Sequence, residues 1–169
     1  MKRALLILVA VLVVFGAGFA LTSGGESAAE EKGRAVPDVS VAGLSGDGEL
    51  ALRSLDGAAT PTLLWFWAPW CGVCNTEAPA IERLAAESRG DLAVVAIGGR
   101  AKAPEGQKFV ARHRLRTPAL QFDEPMAAWQ AYRIPAQPGA VLLDRNGRER
   151  QRWLGAFDTA EALAAARAL

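Results

Sequence analysis

The 169-residue sequence holds two cysteines, Cys71 and Cys74, with Gly72 and Val73 between them. An apolar run, Leu63 to Trp67, leads into the pair. Behind it Ile81, Leu84, Ala85 and Ser88 recur at the i, i+3, i+4, i+7 spacing of a helix. The pair therefore falls where a strand ends and a helix opens. Residues three apart share a helix face at roughly 5–6 Å, a separation that a disulfide spans, so the bond can form and break with little backbone movement. A helix start exposes unpaired N–H groups and about half a positive charge. Both favour thiolate over thiol, and cysteines in such motifs titrate at roughly 3.5–7.5. Cys71 is expected to be the attacking sulfur and Cys74, one turn deeper, the resolving one. A purely structural disulfide closing so short a loop would contribute only about 2 kcal/mol. Two cysteines and the single histidine, His113, fall short of the usual four zinc ligands. No metal and no organic cofactor is expected.

Glu77 lies three residues beyond Cys74, on the same helical face. A carboxylate there can take the proton from Cys74 and help it attack a mixed disulfide. Trp70, beside Cys71, is expected to line a substrate groove, and Gly72 and Val73 to tune the redox balance. Trp65 and Trp67 read as core, and Trp129 and Tyr132, at i and i+3, as packing against a sheet. His113, within Arg112-His113-Arg114-Leu115-Arg116, reads as a solvated basic helix end.

Those residues need a scaffold. Thr62 to Trp67 is apolar on both faces, as in a central, covered strand. Val39 to Val41 and Leu50 to Leu52 alternate around Gly46-Asp47-Gly48 and predict a β-hairpin. A helix over 72–88 should kink at Pro79. Asp91 to Ile97 predicts a strand closed by Gly98-Gly99, then a helix over 105–114, a strand over 119–122 and a helix over 125–132. Gly139 to Leu143 predicts a buried strand, turned by Asn146-Gly147 into a strand over 149–154. Asp158 with Glu161 forms a capping-box variant opening the last helix. The order implies parallel strand–helix–strand units plus one antiparallel pair, hence an α/β fold whose mixed central sheet is flanked by helices.

Lys2 and Arg3 precede an uncharged, mostly apolar run from Ala4 to Leu21, the form of an export signal. As a helix it would span roughly 27 Å, close to the ~30 Å hydrocarbon core. It can stay as an anchor or be cut after the small residues near Ala20. Either fate leaves the remainder outside the cytoplasm. Residues 22–36, rich in Ser, Gly, Glu and Ala, read as a flexible tether, and 37–169 as the folded domain. Net charge is +1, and −1 without Lys2 and Arg3, so nothing points to nucleic acid as partner.

Phe66-Trp67-Ala68-Pro69-Trp70-Cys71-Gly72-Val73-Cys74, followed by Glu77 and Pro79, resembles the thioredoxin superfamily, and within it the exported TlpA/ResA/DsbE-like group. Tyr132-Arg133-Ile134-Pro135-Ala136-Gln137-Pro138, running into Gly139 to Asp144, is the expected second motif. Together they look most like actinobacterial secreted DsbE-like proteins, over Pro37 to Leu169. The resemblance implies a thioredoxin fold with an N-terminal β-hairpin and an inserted strand–helix. It also implies a cis peptide opposite the cysteines. Gln137–Pro138 fits that place, with Pro135 as competitor, and the Gln137 backbone would then pair with an extended substrate. Family members of the TlpA/ResA type carry a Glu where Glu77 stands. Cytosolic thioredoxins keep a buried Asp where this chain has Trp65, which cannot carry a proton, and that raises the weight on Glu77.

The function so implied is exchange of disulfides with exported proteins, inclined to oxidative folding, with a membrane redox partner resetting the pair. Reduction of apocytochrome c or other exported thiols is the alternative. A non-catalytic binding module of the same fold is a different class, and the intact Cys-x-x-Cys speaks against it. A peroxidase of the related fold would need Thr or Ser where Ala68 stands.

Overall fold

The computed structural model describes residues 33–46 and 48–169. The run read as an export signal, most of the segment read as a tether and Asp47 lie outside the described residues. Seven strands alternate with helices: β1 (Ser40–Ala42), β2 (Glu49–Ala51), β3 (Thr62–Trp67), α1 (Gly72–Glu87), β4 (Ala93–Gly99), α2 (Ala103–His113), β5 (Ala119–Asp123), α3 (Ala127–Ala131), β6 (Gly139–Leu143), β7 (Glu149–Leu154) and α4 (Thr159–Arg167). A 3₁₀ turn, Leu52–Leu55, follows β2. β1 and β2 form an antiparallel pair. The other five strands form one sheet in the order β5-β4-β3-β6-β7, parallel on the β4 and β5 side and antiparallel on the β6 and β7 side. The mixed sheet flanked by helices is as the element order predicts and has the thioredoxin-like arrangement that the resemblance implies. However, β6 runs antiparallel to β3, so the β5–α3–β6 unit is not the parallel unit expected and the β6–β7 pair is not the one antiparallel pair of the sheet. Among the described residues no helix is long and apolar enough to cross a membrane.

β3 explains the layering. All six residues are buried, and because a strand alternates faces, its two apolar sets serve two cores. Leu63, Trp65 and Trp67 face a cluster completed by Ala78, Ile81 and Leu84 of α1, Phe109 of α2 and Ala162 and Ala166 of α4. Leu64 and Phe66 face a second cluster with Val41, Leu52, Trp129 and Tyr132. Trp129 and Tyr132 do pack on the sheet: their rings lie 5.6 and 5.7 Å from that of Phe66.

Several boundaries differ from the sequence reading. β4 does not stop before Gly98-Gly99 but includes them. A β-carbon on Gly98 would meet the Phe122 ring at 2.5 Å, and one on Gly99 the Trp129 indole at 2.7 Å, so these glycines admit aromatic rings. α3 opens at Ala127 rather than Pro125, because the buried Asp123 carboxylate accepts the backbone N–H groups of Ala127, Ala128 and Trp129 at 2.8–3.1 Å. At α4, Asp158 caps Ala160 N as expected. Glu161, however, does not reach back to complete a box; it accepts from Gln151 and from the Trp153 indole of β7. The β6–β7 turn places only Gly147 at positive φ (65°) and not Asn146, which gives a three-residue loop. α1 runs through Pro79 without interruption. Finally, residues 33–36, read as the end of the tether, are engaged: Ala35 bridges Arg148, Glu149 N donates to the Arg34 carbonyl and Val36 is buried.

Candidate active site

Cys71 is the N-cap residue of α1, in extended conformation. Its Sγ accepts the backbone N–H of Cys74 at 3.0 Å. The two cysteines are joined, with Cα atoms 5.2 Å apart, so the sequence expectation that their sulfurs meet holds. Both are buried, Cys71 at 5% exposure and Cys74 completely, so Cys74 is the better shielded of the two. Asn75 fastens the turn: its amide donates to the Cys71 carbonyl at 2.7 Å, and its Oδ1 lies 2.8 Å from His113 Nε2. His113 is therefore not a solvated helix end. It is half-buried and packs against Phe109 with ring centroids 4.5 Å apart. Burial, and then the charge of Arg112, hold its pKa below the ordinary imidazole value.

Glu77 is buried one turn beyond Cys74. Its Oε2 accepts the Trp65 indole N–H at 3.0 Å and its Oε1 the Phe157 backbone N–H at 3.1 Å. Burial raises its pKa above the ordinary carboxylate value, and the Phe157 and Trp65 bonds offset part of the rise by favouring the ion. Trp65, which as a core residue carried no chemistry in the sequence reading, thus holds the Glu77 carboxylate.

The Gln137–Pro138 bond is cis and Pro135 is not the cis residue. Pro138 immediately precedes β6, and Gly139 pairs with Phe66, so Pro138 and the Trp67–Cys71 segment emerge from the same end of the sheet. The Pro138 carbonyl accepts from Gly155 N at 2.9 Å. The 155–157 loop therefore touches both Pro138 and Glu77, although nothing in its composition singled it out. Trp70 is 59% exposed and donates its indole N–H to the Arg100 carbonyl at 3.0 Å. Val73 and Leu154 are also exposed, and these three are the large apolar side chains left open among the described residues. Leu154 pairs with Gly139, so all three ring the end of the sheet that carries the disulfide. Gln137 is half-buried, and Gly72 is exposed at the first turn of α1. Ala68 is buried and offers no hydroxyl toward Cys71. Among the described residues no cluster of His, Cys, Asp or Glu could hold a metal ion.

Residues 32–152 match the AhpC/TSA family. The chain is 37% identical over 95 residues to the soluble secreted antigen MPT53 of Mycobacterium tuberculosis, a match covering 54% of this chain and 54% of that protein, so about half the length of either. The Mycobacterium tuberculosis dsbF structure superposes with a TM-score of 0.72 at 29% identity, over 79% of this chain and 98% of that one. A secreted Mycobacterium tuberculosis disulfide oxidoreductase homologous to Escherichia coli DsbE superposes with a TM-score of 0.68 at 31% identity, over 78% and 96%. The chain belongs to the AhpC/TSA family, has the thioredoxin fold and carries the cysteine pair of a thioredoxin-type thiol–disulfide oxidoreductase.

Proposed function

We propose that this thiol–disulfide oxidoreductase works outside the cytoplasm and passes its Cys71–Cys74 disulfide to exported polypeptides. The observation that carries the direction is Cys71 at the cap of α1. Its sulfur receives the Cys74 N–H and the positive end of the helix. When the bond is reduced, these stabilise the Cys71 thiolate, and a stabilised reduced form makes an oxidant. A client thiolate attacks Cys71 Sγ, and Cys74 Sγ leaves. In this reading Glu77, whose raised pKa favours the protonated form, supplies the proton that Cys74 takes up. A second client thiolate then attacks the client sulfur of the mixed disulfide and releases Cys71. The client gains a disulfide and the enzyme holds two thiols, which a membrane disulfide donor reoxidises.

The apolar rim of Trp70, Val73 and Leu154 suits unfolded chain as the substrate, since exposed apolar groups clustered at one place mark an interaction site. Lys2, Arg3 and the apolar 4–21 run supply the export route, and MPT53 is described as secreted. Equilibrium titration of the full chain against glutathione tests the direction. A potential well above that of thioredoxin, about −270 mV, toward that of DsbA, about −120 mV, is expected. A value at or below the thioredoxin range overturns oxidation and supports reduction of exported thiols. Cys71→Ser should abolish exchange altogether, and retained full function would instead mark a binding module.

A further inference from the structure

On the face of the sheet away from α1, a concavity of about 440 Å³ opens beside the Pro138 loop, within the range of small-ligand sites. Met126, Trp129, Ile134 and Pro135 supply its apolar lining, and Arg100 and Arg133 bring two positive charges. No carboxylate lines it. The Arg100 guanidinium lies 5.1 Å from the Trp129 ring centroid and donates to the Pro135 carbonyl at 2.8 Å, so its charge is met by neutral partners. The Arg133 guanidinium has no partner among the described residues. Two of its lining residues connect to the surroundings of the redox site. Arg100 holds Trp70 through its carbonyl, and Pro135 stands two residues before Gln137.

The backbone adds a separate observation. Four described non-glycine residues have positive φ, and three of them, Arg100 (57°), Met126 (64°) and Arg133 (53°), line this one concavity. Arg133 follows the end of α3, a place where glycine adopts the left-handed conformation without cost.

We propose that this concavity is a client subsite, which takes an apolar side chain flanked by a carboxylate from the polypeptide segment next to the client's reactive cysteine. The apolar side chain enters between Trp129, Ile134 and Met126, and the carboxylate meets Arg133 at the rim. The subsite rests on the reading of the client as a polypeptide, and it names the sequence character that the enzyme prefers.

The test uses the oxidised full chain and reduced ten-residue peptides with one cysteine. Each carries Leu-Glu or Leu-Lys, on either side of the cysteine, and the second-order rate of mixed-disulfide formation is measured. On one side of the cysteine, the Leu-Glu peptide should react about tenfold faster than the Leu-Lys peptide at low salt, with the ratio shrinking as salt is added. Arg133→Asn keeps a residue that tolerates positive φ and should bring the ratio near one. Arg133→Glu should invert it. Equal rates for the two peptides on the unaltered chain, or the same ratio in Arg133→Asn, overturns the subsite while the polypeptide reading stands. Failure to react with either peptide, while dithiothreitol is oxidised, overturns both.

Discussion

The two faces of the sheet approach the cysteine pair differently. On the α1 face, Glu77 is closed in: the Trp65 indole and the Phe157 N–H fill its oxygens, and Trp65 stacks in turn on Trp67, with centroids 5.9 Å apart. On the α3 face, Trp129 and Tyr132 are as deeply buried, yet the chain above them turns through left-handed arginines and leaves charge facing solvent. The first face buries a titratable group beside the redox pair and satisfies it. The second also buries a satisfied carboxylate, Asp123 at the cap of α3, but keeps the Arg100 and Arg133 charges at the rim. A buried carboxylate is tolerable only with donors in place, and a charge that must meet a partner stays accessible.

The comparison breaks most visibly at the floor of the open face. Trp129→Ala should cost about 3–5 kcal/mol, the range for deleting a large core aromatic, and urea denaturation would show it. A loss near zero would mean that the floor is not core. Asp123→Ala removes the acceptor of three N–H groups at the start of α3, and about 2 kcal/mol should go. On the closed face, Trp65→Phe keeps an aromatic side chain but removes the N–H bonded to the carboxylate together with part of a fully buried indole, so a loss of about 1–3 kcal/mol is expected. The pH profile of Cys74-dependent exchange should also move upward, because the ionised form of Glu77 loses a donor. An unmoved profile would mean that Trp65 is packing only.

Glu77→Gln sharpens the same point through pH. Because the folded-state pKa is raised, the native state binds more protons than the unfolded one across the interval, so wild-type stability falls as pH rises from about 4.5 through the raised value. The stability of Glu77→Gln relative to wild type should therefore increase with pH over that interval, and a flat difference would contradict the assignment. Smallest of all, Arg133→Asn should change stability by only a few tenths of a kcal/mol, since Asn suits the left-handed backbone and no intramolecular bond of the guanidinium is lost. A large loss would place Arg133 in the closed class after all.

The local rules were readable in order. The continuous apolar run of β3, the Cys-x-x-Cys at a strand-to-helix junction and the Asp158 cap each depend on residues close in sequence, so pattern was sufficient. The Gln137–Pro138 cis bond came only through family resemblance, because spacing alone does not distinguish it from Pro135. The reading of His113 as solvated failed because its partner, Asn75, is 38 residues away. Gly98 and Gly99 read as strand terminators because the rings that need the space, Phe122 and Trp129, arrive from later elements.

By itself the sequence determined that two sulfurs would meet at the mouth of a helix, with a carboxylate one turn behind them. Backbone periodicity and a three-residue spacing suffice for that. Only the tertiary structure decided that the carboxylate is buried and held by Trp65 and Phe157, 12 residues before it and 80 after it. It alone also gathered Arg100, Met126 and Arg133 around one concavity. Those contacts depend on which strand lies beside which, and that follows from burying both faces of β3 at once.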